Sequence, residues 1–206
     1  MFDLDNTLHD ASRHIFPRIG RAMMAYICQH LDVEESEATR LRQTYWNRYG
    51  ATLLGLMRHH GTNPVHFLHH THQFPDLGSL VIAERRLKTA LHRLPGKKII
   101  FSNAPRRYTE SVLETTGIRS CFAAVYSIER LRFKPKPATA GFLQLLRNER
   151  LAPRNCIMIE DTLANLKTAK RLGMKTVWVS AGTRRPPYVD VMVSSVVDLP
   201  RRLREL

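Results

Sequence analysis

Met1-Phe2-Asp3-Leu4-Asp5-Asn6-Thr7-Leu8 sets two carboxylates two residues apart and follows them with a hydroxyl. If Phe2 to Asp5 close a β-strand, the pleat turns Asp3 and Asp5 toward the same side. At the carboxyl end of a buried parallel strand, such a pair packs badly but is well placed for chemistry. One carboxylate can attack phosphorus while its neighbour moves a proton, with a divalent cation screening their repulsion. A lone D-x-D is usually a solvated turn, so the reading depends on partners downstream.

Three partner segments follow. Lys97-Lys98-Ile99-Ile100-Phe101-Ser102-Asn103 reads as a short apolar strand that stops at a hydroxyl and an amide. Arg132-Phe133-Lys134-Pro135-Lys136-Pro137 places lysines in a proline-stiffened loop, ahead of a helix with apolar spacing at Phe142, Leu145 and Leu146. Cys156-Ile157-Met158-Ile159-Glu160-Asp161 is an apolar strand ending in adjacent carboxylates. In an open α/β sheet, ligands bind outside the carboxyl ends of the strands, so the four segments are expected to converge on one crevice.

With these segments in order as FDLDNTL, FSNAP, FKPKP and IEDTLAN, the chain resembles the haloacid dehalogenase superfamily over residues 1 to about 180. That superfamily consists mostly of Mg²⁺-dependent phosphohydrolases and phosphotransferases. Within it, the segment from Tyr45 through Trp46, Tyr49, Gly50 and Gly55 to Met57, with Leu172-Gly173-Met174, is similar to pyrimidine 5'-nucleotidases.

The resemblance implies a role for each residue. Asp3 would form an aspartyl-phosphate and touch Mg²⁺. Asp5 would protonate the leaving alkoxide and then take a proton from water, a double duty suited to a positioned carboxyl group. A dehalogenase expelling halide needs no such acid. Ser102 and the Asn103 backbone amide would hold a phosphoryl oxygen, and a lysine would neutralise charge shared by nucleophile and phosphate. Lys136 is preferred to Lys134 for that lysine, because the family's lysine usually has an aromatic six residues later and Phe142 fits. Asp161 would ligate Mg²⁺, with Glu160 as a further ligand or holding a metal-bound water, alongside Asp3 and the Asp5 carbonyl. Asn165, one helical turn beyond Asp161, would orient the metal site or else stand exposed. Thr7 and Thr162 are read as loop braces.

The expected fold is α/β: a three-layer Rossmann-like parallel sheet core, residues 1–10 and 92–206, with an inserted α-helical cap over 11–91. About 90 residues, mostly of helical pattern, separate the first motif from Lys97. Ala22, Met23, Tyr26 and Ile27 mark one apolar cap face, and Leu53, Leu54, Leu56 and Met57 another. Strands are expected near 98–102, 123–127, 156–160, 175–179 and 190–194. Only Met1 and Phe2 precede Asp3, so the first strand is read as short or as beginning upstream. The cap would close over the phosphate and read the leaving group, with Tyr45, Tyr49 and the stretch from Gly50 to Gly55 as the specificity surface. His59, His60, His66, His69, His70 and His72 are read as surface or interface residues and not as a transition-metal site, since no Cys or Asp ligand stands nearby.

The 206 residues are 43% hydrophobic, enough for one core and a small appendage. No apolar run is long enough to span a bilayer and the first residues do not form a basic and apolar leader, so a soluble protein without a signal peptide is expected. Cys28, Cys121 and Cys156 are odd in number and far apart, which fits reduced thiols in a cytoplasmic protein. The net charge of +14 is of a size seen in nucleic-acid binders. Its basic residues are scattered pairs without interleaved aromatics, which favours attraction of a small anionic substrate over nucleic acid. The resulting expectation is a Mg²⁺-dependent phosphomonoesterase acting on a small phosphorylated metabolite, a pyrimidine nucleoside 5'-monophosphate. A sugar-phosphate phosphatase or phosphomutase is the alternative within the superfamily, and a basic nucleic-acid-binding protein on a degenerate phosphatase fold the alternative of another class.

Overall fold

The computed structural model describes residues 1–206. The chain forms two compact units, one of residues 1–11 and 81–206 and the other of residues 12–80. In the first unit the strands are β1 (Ile99–Phe101), β2 (Ala124–Tyr126), β3 (Ile157–Glu160), β4 (Lys175–Val179) and β5 (Val191–Val193). Every pairing is parallel: Ile99 stands beside Ala124, Ile157 beside Lys175, and Val177 beside Val191.

The N-terminal residues join these strands into one sheet. Phe2 bridges Ile100 on one side and Ile159 on the other. Its amide donates to the Ile99 carbonyl at 2.8 Å and its carbonyl accepts from Phe101 at 2.7 Å, while the Asp3 amide donates to Ile159 at 3.0 Å. The central strand is therefore very short, and the spatial order runs β2, β1, Phe2, β3, β4, β5. The ladder stops at Asp3. Beyond it the amides of Thr7 and Leu8 both turn back to the Leu4 carbonyl, and Asn6 takes a left-handed φ of 58°. Asp5 thus stands in a turn, and the alternating pleat does not extend to it.

Sequence composition explains the layers. All of β1 is buried, as expected of parallel strands covered on both faces. Ile99, Phe101 and Met158 share a core with Phe142, Leu145 and Leu146 of α8 (Thr139–Asn148) and with Leu166 and Ala169 of α9 (Leu163–Arg171). The Phe101 and Phe142 rings meet edge to face at 4.8 Å. Ile100, Ile159 and Val177 fall on the opposite face by alternation.

The second unit contains α1 (Ile15–Leu31), α2 (Glu35–Tyr49), α3 (Thr52–His60), α4 (Pro64–Thr71) and α5 (Leu77–Leu80). Asn63 caps α4 by accepting from the amides of Val65 and His66, with Pro64 at the first helical position. The buried line of α1 is Ile15, Ile19, Tyr26 and Ile27; Ala22 and Met23, read as part of it, are only half-buried. In α3 the buried positions are Thr52, Leu53, Gly55 and Leu56, whereas Leu54 and Met57 are half-buried.

Residues 81–91, assigned to the cap by their helical pattern, stand with the first unit. Their helix α6 (Leu87–Arg93) buries Leu87, Ala90 and Leu91 and packs on the turn at Val196–Asp198. The Asp10 amide donates to the Ile82 carbonyl at 2.8 Å, tying the segment that leaves this unit to the one that returns. Periodicity identifies a helix but not the surface it meets.

Gly141 lets α8 approach the loop that carries the lysines, since a Cβ there would lie 2.4 Å from the Lys134 carbonyl oxygen. Gly141→Ala is expected to lower stability by about 1–3 kcal/mol through forced displacement of that loop, measurable as an earlier urea midpoint with unchanged m-value.

Candidate active site

Three of the four sequence motifs meet around one buried ammonium. Lys136 is 2% exposed, and its Nζ donates to Asp3 Oδ1 at 2.6 Å and to Glu160 Oε2 at 2.7 Å. Asp3 sits where the central ladder ends and Glu160 is the last residue of β3, so the sheet places both carboxylates side by side. Asp161 follows Glu160 directly. Ligand oxygens of Asp3, Glu160 and Asp161 all lie within 4.8 Å of one another.

The second motif holds the lysine by its backbone. The Asn103 side chain accepts from the Lys136 amide at 2.8 Å and donates to the Lys136 carbonyl at 2.9 Å. One amide group thus satisfies both polar groups of that peptide, and the ammonium also lies 5.2 Å from the Phe101 ring centre. Lys134, the competing lysine, is exposed. Ser102 is 1% exposed and its Oγ accepts from the Ala104 amide at 3.0 Å. It makes a local turn and is not the cap of α7 (Arg106–Thr115), which starts beyond Pro105.

On the other side, Glu160 Oε1 accepts from the Thr162 amide at 3.1 Å, so each Glu160 oxygen already takes one hydrogen bond. The Thr162 hydroxyl donates to Asp161 Oδ1 at 3.2 Å, and the Trp178 indole donates to the Asp161 carbonyl at 2.8 Å. The Thr7 hydroxyl stands 3.4 Å from Asp3 Oδ2, a long contact that leaves this oxygen weakly engaged. Asn165 is 6% exposed in the first turn of α9.

Charge in this cluster is unbalanced. Burial and the adjacent Glu160 push the Asp3 carboxyl up to about 7, although Lys136 pulls the other way. Burial likewise raises Glu160 and Asp161. It opposes the Lys136 ammonium too, but Asp3 and Glu160 outweigh it and hold the lysine above its ordinary value. The two directions are compatible, because one ammonium faces three carboxylates. A single divalent cation would neutralise the excess. The donors are all hard oxygens, which suits Mg²⁺, and Asp161 is the least committed of the three side chains to other protein groups.

Asp5 stands at the edge of this group, its side chain 16% exposed. Its Oδ1 accepts from the Tyr108 hydroxyl at 2.6 Å and is 2.9 Å from His9 Nε2. Sequence reasoning passed over both partners. His9 carried a faint signal, lying four residues after Asp5; Tyr108 carried none, since only folding brings α7 to the turn. The bracketing role of the Asn103 side chain was equally illegible.

The residues read as a specificity surface divide. Tyr45 is 7% exposed and packs within the helical unit, where a Cβ on Gly55 would come 2.0 Å from its ring. Its hydroxyl meets His60 Nε2 at 2.7 Å. Gly50 ends α2 with φ 74°, a chain-reversal role. Tyr49 is half-buried and pairs with His59 at 2.7 Å. His59, His60, His66, His69 and His70 are exposed, and several are tied to tyrosines, as His66 is to Tyr26 at 2.9 Å. The only grouping of metal-binding side chains is that of Asp3, Glu160 and Asp161. No helix is long and apolar enough to cross a membrane.

Residues 1–179 match the family described as haloacid dehalogenase-like hydrolase. The chain is 23% identical over 190 residues to Phosphate metabolism protein 8 of Saccharomyces cerevisiae (strain ATCC 204508 / S288c), covering 84% of this chain and 58% of that protein. It superposes on the crystal structure of an HAD phosphatase from Thermococcus onnurineus with a TM-score of 0.67 at 20% identity, over 98% of this chain and 95% of the other. It also superposes on L-2-haloacid dehalogenase from Xanthobacter autotrophicus with chloropropionic acid covalently bound, TM-score 0.60 at 18% identity, over 98% and 96%. These likenesses establish the fold.

Removing the ammonium leaves two buried carboxylates facing one another. Lys136→Met is expected to destabilise the metal-free protein by about 3–5 kcal/mol in urea unfolding. Adding Glu160→Gln to the same chain is expected to recover part of that loss, giving a non-zero coupling in the double-mutant cycle.

Proposed function

The chain belongs to the haloacid dehalogenase-like hydrolases, and we propose that it is a Mg²⁺-dependent phosphomonoesterase working through an aspartyl-phosphate on Asp3. The observation that carries this reading is the Lys136 ammonium clamped between Asp3 and Glu160, with Asp5 two residues from Asp3. Lys136 takes Asp3 Oδ1, leaving Oδ2 to attack phosphorus. The bond from phosphorus to the ester oxygen breaks, and Asp5 gives the departing alkoxide its proton. Asp5, now a carboxylate, takes a proton from water as that water attacks phosphorus, which releases phosphate and restores Asp3. Ser102 and the Asn103 backbone amide would hold the phosphoryl oxygens, with Lys136 neutralising the charge shared between nucleophile and phosphate.

Asp3, Asp161 and the backbone carbonyl of Asp5 would hold Mg²⁺, with Glu160 beside them as a further ligand or through a water. The ion would supply charge screening between nucleophile and phosphate. Asp5 favours phosphate ester over organic halide as substrate, because halide leaves without a proton. Its two hydrogen-bond partners support that choice.

For the leaving group we read a pyrimidine nucleoside, on the similarity of the Tyr45–Met57 and Leu172–Met174 segments to pyrimidine 5'-nucleotidases. Of the two tyrosines read for this role, Tyr45 is buried and Tyr49 half-buried. The name of the yeast relative, Phosphate metabolism protein 8, is in keeping with phosphate chemistry, and this chain spans 58% of that protein's length.

Phosphate release with Mg²⁺ from UMP, CMP, AMP and several sugar phosphates tests the reading. UMP and CMP are expected to be preferred, and Asp3→Asn to lower turnover by about 10³-fold or more with the fold retained. Removal of Mg²⁺ by EDTA is expected to abolish release reversibly. Preference for sugar phosphates would keep the chemistry and overturn the substrate. No release by folded protein would overturn both.

A further inference from the structure

Two donors converge on a single oxygen of Asp5. The Tyr108 hydroxyl lies 2.6 Å from Oδ1 and His9 Nε2 lies 2.9 Å from it, and the two donors are 3.5 Å apart. Tyr108 is 2% exposed and the His9 side chain is wholly buried. The Tyr108 hydroxyl is the donor to that oxygen.

The geometry also fixes the His9 tautomer. Oδ1 already accepts the Tyr108 hydroxyl and stays an acceptor whether or not Oδ2 carries a proton, so a neutral His9 meets it with the ring proton on Nε2. That leaves Nδ1 as a bare acceptor, and it is buried with no partner. An unmet buried nitrogen is unfavourable, and an apolar side chain would fill the position without it. The orphaned nitrogen is therefore tolerated for the sake of the bond on the other side of the ring.

We propose that His9 and Tyr108 are positioning residues that lock the Asp5 carboxyl by Oδ1 and so reserve Oδ2 as the oxygen that carries the proton. A carboxyl group free to rotate presents either oxygen at any angle; one pinned by two donors presents one oxygen in one direction. Proton transfer in the transition state depends on such placement, and small displacements are costly in rate. The inference rests on the phosphomonoesterase reading and adds to it the two side chains that aim its acid.

The test uses leaving groups of different need. Expulsion of p-nitrophenolate requires little protonation, whereas a sugar alkoxide requires it. The ratio of kcat/KM for UMP to that for p-nitrophenyl phosphate reports steps up to loss of the leaving group. Tyr108→Phe and His9→Leu are expected to lower kcat/KM for UMP by about 10- to 100-fold. They are expected to lower that for p-nitrophenyl phosphate far less, with thermal midpoints checked alongside. His9→Gln, whose amide can still donate toward Oδ1, is expected to restore most of the lost ratio. Equal loss on both substrates, or no loss, would overturn the positioning role while leaving the phosphatase reading standing. A folded wild-type protein inactive on p-nitrophenyl phosphate and on every monophosphate of the panel would overturn the phosphatase reading and this inference together. If UMP is inactive but glucose 6-phosphate is turned over, the same ratio is taken with glucose 6-phosphate.

Discussion

Everything at this site depends on one buried ammonium. Lys136 is out of water, and an isolated charge there would be prohibitively unfavourable. Two carboxylates at hydrogen-bond distance compensate it, and they arrive from strands far apart in sequence. The pair can meet only if Phe2 lies between β1 and β3, which sets Asp3 level with the end of β3. The lysine reaches them only if Asn103 brackets its peptide. Sheet order, loop conformation and charge pairing are therefore one constraint seen from three directions.

The same arrangement leaves charge unspent. Three acidic groups share a single cation, and burial raises the proton affinity of each. A site built for stability alone would pair its charges evenly or replace them with apolar residues. An excess of hard oxygen donors beside a weakly engaged carboxylate oxygen is better suited to holding a divalent cation and presenting a nucleophile.

Much of this could be read from the chain. The strands expected near 98–102, 123–127, 156–160, 175–179 and 190–194 are found at 99–101, 124–126, 157–160, 175–179 and 191–193. They are parallel strands: β1 is buried throughout, β2, β3 and β5 each keep one half-buried residue, and β4 begins at exposed Lys175, so they appear in sequence as short, mostly apolar runs bounded by polar residues. The preference for Lys136 over Lys134 rested on the resemblance to the family, whose lysine is usually followed six residues later by an aromatic, and Lys136 is the lysine that stands in the cluster. Local patterns did not reveal long-range choices. Helix α6 resembles its predecessors in periodicity but packs elsewhere, and Tyr45, read as part of a specificity surface, packs against Gly55 within the helical unit. The turn after Asp3 defeated the pleat argument for Asp5, and its partner Tyr108 is more than 100 residues away, at a separation of 103. Such contacts leave no periodic trace.

The measurement that bears most directly on the central claim is chemical trapping of the phosphoenzyme. Protein turning over substrate with Mg²⁺ is quenched into hydroxylamine, which converts an acyl phosphate into a hydroxamate, and the N-terminal peptide is read by mass spectrometry. The account predicts a hydroxamate on Asp3, formed only when substrate is present. Turnover without any trapped acyl group, or with the hydroxamate on another carboxylate, would contradict it.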